Sequence, residues 1–263
     1  MDEAHVRARE CIALLRRYPY ASFHEAGGDM MAFFGSYKRS MKFYEAALKD
    51  PSDEEAAVRI INKLALSHII GGNYRAGAAL LKRTKTDPDR KYLVMEEVNR
   101  MLIAYGEGDF ERMSNHLKRV LAVAKEQQFR NYLYAVAFCR AAAARALGNE
   151  REARAILYTY MPLLKRFKAY RETSVLHLLL TRRERKWSMK YALYRMLALL
   201  TQASRSMKLT DYRLVLAHAE RTGINGFLHR CIVFFPGLVT KIISLGRATG
   251  LTRSILQFPV FNA

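Results

Sequence analysis

Cysteine, proline and glycine are all scarce in this chain of 263 residues. Six Pro and 14 Gly are too few for an all-β protein of this length, which needs a turn about every ten residues. The three Cys lie far apart and no Cys-x-x-Cys pair occurs, so the sequence indicates neither a disulfide framework nor a zinc ribbon. We therefore expect Cys11, Cys139 and Cys231 to be buried thiols in a reducing compartment.

Long apolar runs are also missing. The most apolar stretch, residues 231–240, has ten residues between Arg230 and Lys241, whereas a membrane-spanning helix needs about twenty. The N-terminus contains Asp2 and Glu3 and lacks the apolar segment of a signal peptide. These absences predict a soluble, cytoplasmic protein.

Acidic residues are the minority among the charged side chains. The chain has 44 Lys and Arg against 24 Asp and Glu, a formal net charge of +20. The excess is uneven, because residues 1–150 carry a net +5 and residues 151–263 carry a net +15. Such a balance says little about the fold but favours anionic partners.

A repeated pattern occupies the first two thirds of the chain. Four segments begin with Gly, continue with Ser, Asn or Asp, and in three cases have an aromatic residue next. Their leading residues are Gly35, Gly72, Gly108 and Gly148. Such a glycine ends one helix in the left-handed conformation, and the polar residue after it can cap the next helix. Each segment therefore predicts a hairpin of two helices, and such hairpins must stack to bury their apolar faces.

This pattern resembles the tetratricopeptide repeat, whose second helix reads Gly-Asp/Asn-Tyr, then Glu-Ala, then Asp-Pro. GSYKRSMKFYEAALKDP at 35–51 is a close match, GGNYRAGAALL and GEGDFERMSNHL are good ones, and GNEREARAILY departs because Glu150 replaces the aromatic residue. The resemblance covers residues 20–165 and implies a right-handed α-solenoid of stacked helix hairpins. Residues 166–263 form a divergent, basic and also helical part, in which residues 170–181 and 187–206 are predicted to pair as a fifth hairpin. Further helices are predicted over 1–18, 211–221, 236–247 and 252–258. We therefore predict one all-α domain over 1–263 with about fourteen helices.

The C-terminal part is similar to the end of the helical sensor domain in MalT-like transcription activators of the LuxR type. Residues 216–228, 236–239 and 246–251 follow the order of segments in that family. There the superhelix binds an inducer or a regulatory protein and passes the signal to an ATPase and a DNA-binding domain. This chain has neither the phosphate-loop motif of the ATPase nor the DNA-binding domain. The resemblance therefore implies a sensor region by itself, either as a free-standing protein or as part of a larger regulator.

Motifs for catalysis and metal binding are absent from the sequence. His24 and Glu25 begin like a zinc-protease helix, but Gly28 stands where the second His is needed. No Gly-x-Ser-x-Gly elbow occurs, and the seven His are dispersed. We predict a protein that is not an enzyme and that needs no metal and no cofactor.

Binding residues are expected on the first helix of each hairpin, at fixed distances before the turn glycine. In tetratricopeptide repeats these positions line the concave groove. The candidate residues of a ligand- or peptide-binding groove are Arg59, Asn62, Tyr105 and Arg145. A mixed apolar and polar lining suits a protein, a peptide or a small inducer. The alternative is that apolar groove positions such as Phe138 merely pack under the next repeat.

A second candidate site is the basic stretch over 165–190, where aromatic residues alternate with cations. The candidate anionic-partner surface consists of Arg182, Arg183, Arg185 and Lys186. Such a face can bind nucleic-acid phosphates, dock on anionic lipid or an acidic partner, or simply be solvated. The sequence therefore predicts a non-catalytic binding module, the sensor region of a MalT-like regulator. The alternative is a tetratricopeptide scaffold for protein assembly or for an anionic polymer such as nucleic acid.

Overall fold

A computed structural model of the protein describes residues 20–84, 92–123, 129–167, 169–181 and 192–235, together with five single positions outside these ranges. This part of the chain contains twelve α-helices and no strand, which confirms the predicted all-α class. The helices are α1 Ala21–Phe33, α2 Tyr37–Ala47, α3 Glu54–Ile70, α4 Tyr74–Leu81, α5 Leu93–Gly106, α6 Phe110–Val123, α7 Phe129–Ala146, α8 Glu150–Arg166, α9 Tyr170–Thr181, α10 Ala192–Ser206, α11 Leu209–Thr222 and α12 Asn225–Ile232. The helices predicted over 1–18, 236–247 and 252–258 lie outside the described ranges. None of the described helices is both long and apolar enough to cross a membrane.

The four turn glycines adopt the same backbone conformation, as predicted. Their φ angles are 76°, 88°, 75° and 81° in chain order, all in the left-handed region. At each turn the residue after the glycine donates its backbone N–H to the carbonyl five residues earlier, at 2.8 or 2.9 Å, which satisfies an otherwise unpaired carbonyl of the ending helix. The predicted side-chain caps form at two turns, where Asp109 and Asn149 accept the N–H three residues on. Ser36 and Asn73 make no such bond within the described helices.

Consecutive helices pack as a stack of hairpins. α1 contacts α2, α3 contacts α4, α5 contacts α6 and α7 contacts α8, and the first helices α3, α5 and α7 also contact one another in order. α9 packs against α8 and α10, as expected for a fifth hairpin, and α10 packs also against α11. This succession of neighbouring contacts is the arrangement of an α-solenoid.

Close approach within the hairpins depends on one position of the second helix. The residue four positions after each polar cap residue is buried, and these residues are Ser40, Gly77, Met113 and Ala153. At Gly77 an added Cβ would lie 2.8 Å from Cγ1 of Ile69 and 3.3 Å from the carbonyl oxygen of Ala65. The small side chain therefore lets α4 lie directly against α3.

The last helices fold back over the first helices of the hairpins. α12 contacts α3, α5 and α7 on one side and α10 and α11 on the other. It begins after Gly223, whose φ of 72° ends α11. The ring of Phe227 stacks on Phe138 of α7 with centroids 5.3 Å apart. The sequence analysis did not predict α12, which covers the face that a groove ligand would need.

Candidate binding site on the first helices

We call the side of α3, α5 and α7 that contacts α12 the inner face. The four predicted groove residues all lie on these three helices, but each has separate neighbours. Arg59 and Asn62 belong to α3, Tyr105 to α5 and Arg145 to α7. The structure therefore spreads them along the stack and does not gather them into one pocket.

Arg59 joins α3 to α1 through an ion pair. Its Nε and Nη2 atoms donate to the Glu25 carboxylate at 2.7 and 2.8 Å. Lys63 donates to Glu25 at 2.8 Å and to Asp29 at 2.6 Å. The hydrogen bond from Arg59 lowers the pKa of Glu25 to about 2, with a further contribution from Lys63, against the opposing effect of burial. The two carboxylates of α1 are thus neutralised by basic side chains of α3.

Asn62 is fully buried and joins α3 to α5. Its Nδ2 donates to the carbonyl of Val58 at 3.0 Å, and Nδ2 of Asn99 donates to the carbonyl of Asn62 at 3.0 Å. The Oδ1 atom of Asn99 is buried without a hydrogen-bond partner among the described residues. Asn62 therefore acts here as part of the packing between two repeats.

Tyr105 lies beneath α12, next to a buried arginine of that helix. Tyr105 and Arg230 are each only 2% exposed, and Arg230 is the largest fully buried side chain in the described part of the protein. The Arg230 guanidinium carbon lies 5.9 Å from the centre of the Phe227 ring. Nη1 of Arg230 and the hydroxyl of Tyr105 have no hydrogen-bond partner among the described residues. Tyr105 thus belongs to a group of polar side chains in the interior of the protein, next to Arg230.

The groups around Arg230 are uncharged at neutral pH. Burial raises the pKa of Tyr74 and of the Cys139 thiol each to about 12, although the charge of Arg230 acts in the opposite direction. Burial also raises the pKa values of Tyr105 and Cys231 well above their usual range. Phenols and thiols with such values stay protonated, so none of them provides a negative charge for the guanidinium.

Arg145 lies at the C-terminal end of α7, where it donates to the Glu150 carboxylate at 2.6 Å. Together with Leu179 and Phe234 it lines a cavity of about 30 Å³, which has room for little more than one water molecule. Phe234 also packs on Phe138, with ring centroids 6.0 Å apart. The segment after α12 therefore covers this end of the inner face as well, and Phe138 packs on the chain's own C-terminal part.

A larger cavity of about 450 Å³ lies on the other side of the stack, between α4, α5 and α6. Its wall includes Lys82, Arg100, Arg112 and His116.

His116 Nδ1 lies 2.7 Å from the carboxylate of Glu97, a buried residue of α5. Burial alone would raise the pKa of Glu97, but the hydrogen bond with His116 and the charges of Arg100 and Arg119 together lower it. The sequence analysis missed this pair. Its only signal is that the two residues flank the Gly108 turn, Glu97 on the helix before it and His116 on the helix after it.

Positive charge is concentrated on the second helices of the hairpins. α2, α4, α6 and α8 contain eleven Lys and Arg against four Glu, whereas α1, α3, α5 and α7 contain six of each sign. We call the exposed side of these second helices the outer face. Its exposed cations that make no ion pair with a described residue include Arg39, Lys42, Arg75, Lys118 and Arg151. The predicted surface of Arg182, Arg183, Arg185 and Lys186 lies outside the described residues.

Comparison with known proteins adds no relative to this picture. Neither the protein-family models, nor the curated proteins, nor the solved structures contain a match to this chain. Within the described residues no group of three or more His, Cys, Asp and Glu is placed to hold a metal ion.

Proposed function

We propose that this protein is a non-catalytic binding module, a right-handed tetratricopeptide-like superhelix whose inner face receives a helical peptide or a small inducer. One observation carries the proposal: the inner face already accommodates a helix, α12, through the stacked pair of Phe138 and Phe227. A surface that binds an apolar helix of its own chain has the shape and chemistry to bind a similar helix from a partner. The four glycine turns share one backbone conformation and one hydrogen-bond pattern, which supports the repeat architecture.

The finer form of this proposal is the sensor region of a MalT-like transcription regulator. It is supported by the order of the C-terminal segments, in which α11, Gly223 and α12 correspond to the segment that closes the family's superhelix. The absence of catalysis is supported by the two described cysteines, Cys139 and Cys231, because buried protonated thiols are poor nucleophiles.

A thermal-unfolding screen tests the binding role. Small metabolites and amphipathic peptides are added to the wild-type protein, and compounds that raise its unfolding midpoint are confirmed by calorimetric titration. A true ligand of the inner face stabilises wild type and Arg213→Ala, which truncates an exposed side chain of α11, but binds more weakly to Tyr105→Leu and Arg145→Ala. Equal binding to all four proteins would place the ligand elsewhere and contradict the proposal. Turnover that depends on His116 would instead favour an enzyme.

The second candidate function is binding of an anionic polymer such as nucleic acid, and the observation that favours it is the excess of cations on the outer face. Two variants separate the possible surfaces: Arg39, Lys42, Arg75 and Arg151 to Glu on the outer face, and Arg182, Arg183, Arg185 and Lys186 to Glu in the basic stretch. Affinity for a labelled single-stranded oligonucleotide is measured by anisotropy at several salt concentrations. The functional surface is the one whose variant binds the oligonucleotide more weakly. In that variant the slope of log affinity against log salt concentration should become shallower by about 0.7 for each phosphate contact that is lost. Unchanged affinity in both variants contradicts this candidate.

A further inference from the structure

The interior of the protein contains a cation without a counter-charge. Arg230 is 2% exposed and forms no ion pair with any described residue. An arginine keeps its charge at all ordinary pH values, so it cannot reduce the cost of burial by losing a proton. A buried charge that is neither paired nor fully hydrogen-bonded is strongly destabilising. The position therefore calls for a negative group that the described side chains do not provide.

The neighbours of Arg230 can share its charge only weakly. The Phe227 ring offers a cation–π contact at 5.9 Å, and the nearby Tyr74 phenol is neutral because burial raises its pKa. The thiols of Cys139 and Cys231 are protonated, and His229 on the same helix is neutral because burial, and then the charge of Arg230, lowers its pKa. All titratable groups facing the guanidinium from α4, α5, α7 and α12 are thus without negative charge.

Two hydrogen-bond donors in this interior lack an acceptor. Nη1 of Arg230 and the hydroxyl of Tyr105 are both completely buried and have no described partner. One belongs to α12 and the other to α5, which contact each other. A carboxylate or a phosphate oxygen accepts hydrogen bonds from guanidinium and phenol alike, and such charge-assisted bonds are about twice as strong as neutral ones.

We propose that the inner face holds a binding site for one small oxyanion, a carboxylate or phosphate group, held by Arg230 and Tyr105 and enclosed when α12 docks. Since α12 carries Arg230 into the interior, the anion stabilises the docked position of the helix. This inference rests on the proposed function in taking the inner face as the binding face, and it names the chemical class of the ligand. The anion is either free or the acidic end of a larger inducer.

The test measures anion-dependent stability of the full chain. Unfolding midpoints are recorded against sodium acetate and, in a second series, sodium phosphate, at constant ionic strength. The proteins are wild type, Arg230→Met and the control Arg213→Met, which changes an exposed arginine of α11. Wild type and Arg213→Met show a saturable rise of about 5 °C or more once the anion reaches about a hundred times its Kd. Arg230→Met keeps only the general salt effect and, without anion, unfolds at or above the wild-type midpoint because it buries no charge. The series with the lower saturating concentration identifies the preferred oxyanion.

The same anion dependence in wild type and Arg230→Met would overturn the inference. Should Arg230→Met fail to fold, equilibrium dialysis of wild type and Tyr105→Phe against radiolabelled phosphate and acetate decides: one anion per wild-type chain and weaker binding to Tyr105→Phe support the site, and no binding to wild type refutes it. If no anion binds but neutral inducers or peptides still bind the inner face, the oxyanion proposal is wrong and the proposed binding function remains supported. A failure of the ligand screen together with a positive anion titration would instead leave the oxyanion as a structural ligand.

Discussion

Gly226 shows how a single residue controls the approach of α12 to α3. An added Cβ would collide with the carbonyl oxygen of Ile69 and would lie 2.9 Å from the backbone nitrogen of Gly72 and 3.0 Å from the carbonyl oxygen of Ile70. All three atoms belong to the backbone, so none can move aside without distorting the end of α3 or the turn after it. Only glycine fits at this crossing.

We therefore expect Gly226→Ala to destabilise the protein by about 1–3 kcal/mol, the usual cost of overpacking a close contact. Urea unfolding followed by circular dichroism measures the change. Gly237→Ala is the matched control, because an added Cβ there meets no atom of a described residue within 4 Å. Equal stability of the two variants would show that α12 does not dock as closely as the structure has it.

The ion pair of Glu25 with Arg59 predicts a pH dependence at the residue scale. The pKa of Glu25 is lowered to about 2 from a usual 4.5, so its stabilisation is complete above about pH 4.5 and is lost as the pH falls towards 2. We expect Glu25→Gln to lower the free energy of unfolding by about 1–2 kcal/mol at pH 7, since the partial exposure of Arg59 and Lys63 screens the interaction.

The difference between wild type and Glu25→Gln should shrink steadily between pH 4.5 and 3 in urea titrations. Glu220→Gln serves as the comparison, because Glu220 is exposed and makes no ion pair with a described residue. A difference that stays constant down to pH 3 would mean that the carboxylate charge contributes nothing.

At the scale of elements, α12 is the feature on which both proposals depend. Every residue from Gly226 to Ile232 is buried, which is unusual for a helix of eight residues near the end of the described chain. Its docking also covers Cys139 of α7 and Cys231, both fully buried. These thiols therefore report directly on whether α12 is docked.

We expect truncation of the Phe227 side chain to weaken the docking of α12 on the inner face. Loss of its ring removes the stacking on Phe138, and the removal of a buried phenylalanine costs about 3–5 kcal/mol. In a Cys11→Ser background, we expect thiol labelling of Phe227→Ala to be at least tenfold faster than that of the parent, because labelling follows the population of the open form. Leu214→Ala, which truncates an exposed side chain of α11, should label at the parental rate. Equal rates in both variants would show that α12 does not open independently.

At the scale of the whole molecule, α12 turns a linear stack into a cross-linked one. In an open solenoid each repeat contacts only its neighbours. The stability of the stack is therefore a sum of the contributions of single repeats and of the interfaces between neighbours. Here one helix contacts α3, α5 and α7 at once. A substitution in α12 should therefore change the local stability of three hairpins together.

Hydrogen exchange measures this coupling. We expect Phe227→Ala to lower the protection of α3, α5 and α7 by similar factors, whereas Ala47→Gly, a change in the buried face of α2, should lower protection mainly in α1 to α3. Loss of protection confined to α7, where Phe138 stacks on the truncated ring, would contradict the cross-linking role of α12.

The helical class, the four hairpins and their turn conformation were determined by the sequence itself, because a left-handed glycine, a small residue at a helix crossing and an apolar periodicity act over a few residues. The position of the candidate groove residues on the first helices followed from counting back from the turn glycines, as in tetratricopeptide repeats. Tertiary structure alone decided what those residues contact. Arg59 is engaged by Glu25, 34 positions away, and the burial of Arg230 beside Tyr105 requires a helix more than a hundred residues downstream to return to the inner face. Such contacts arise from the packing of distant apolar surfaces, which leaves no periodic signal in the chain.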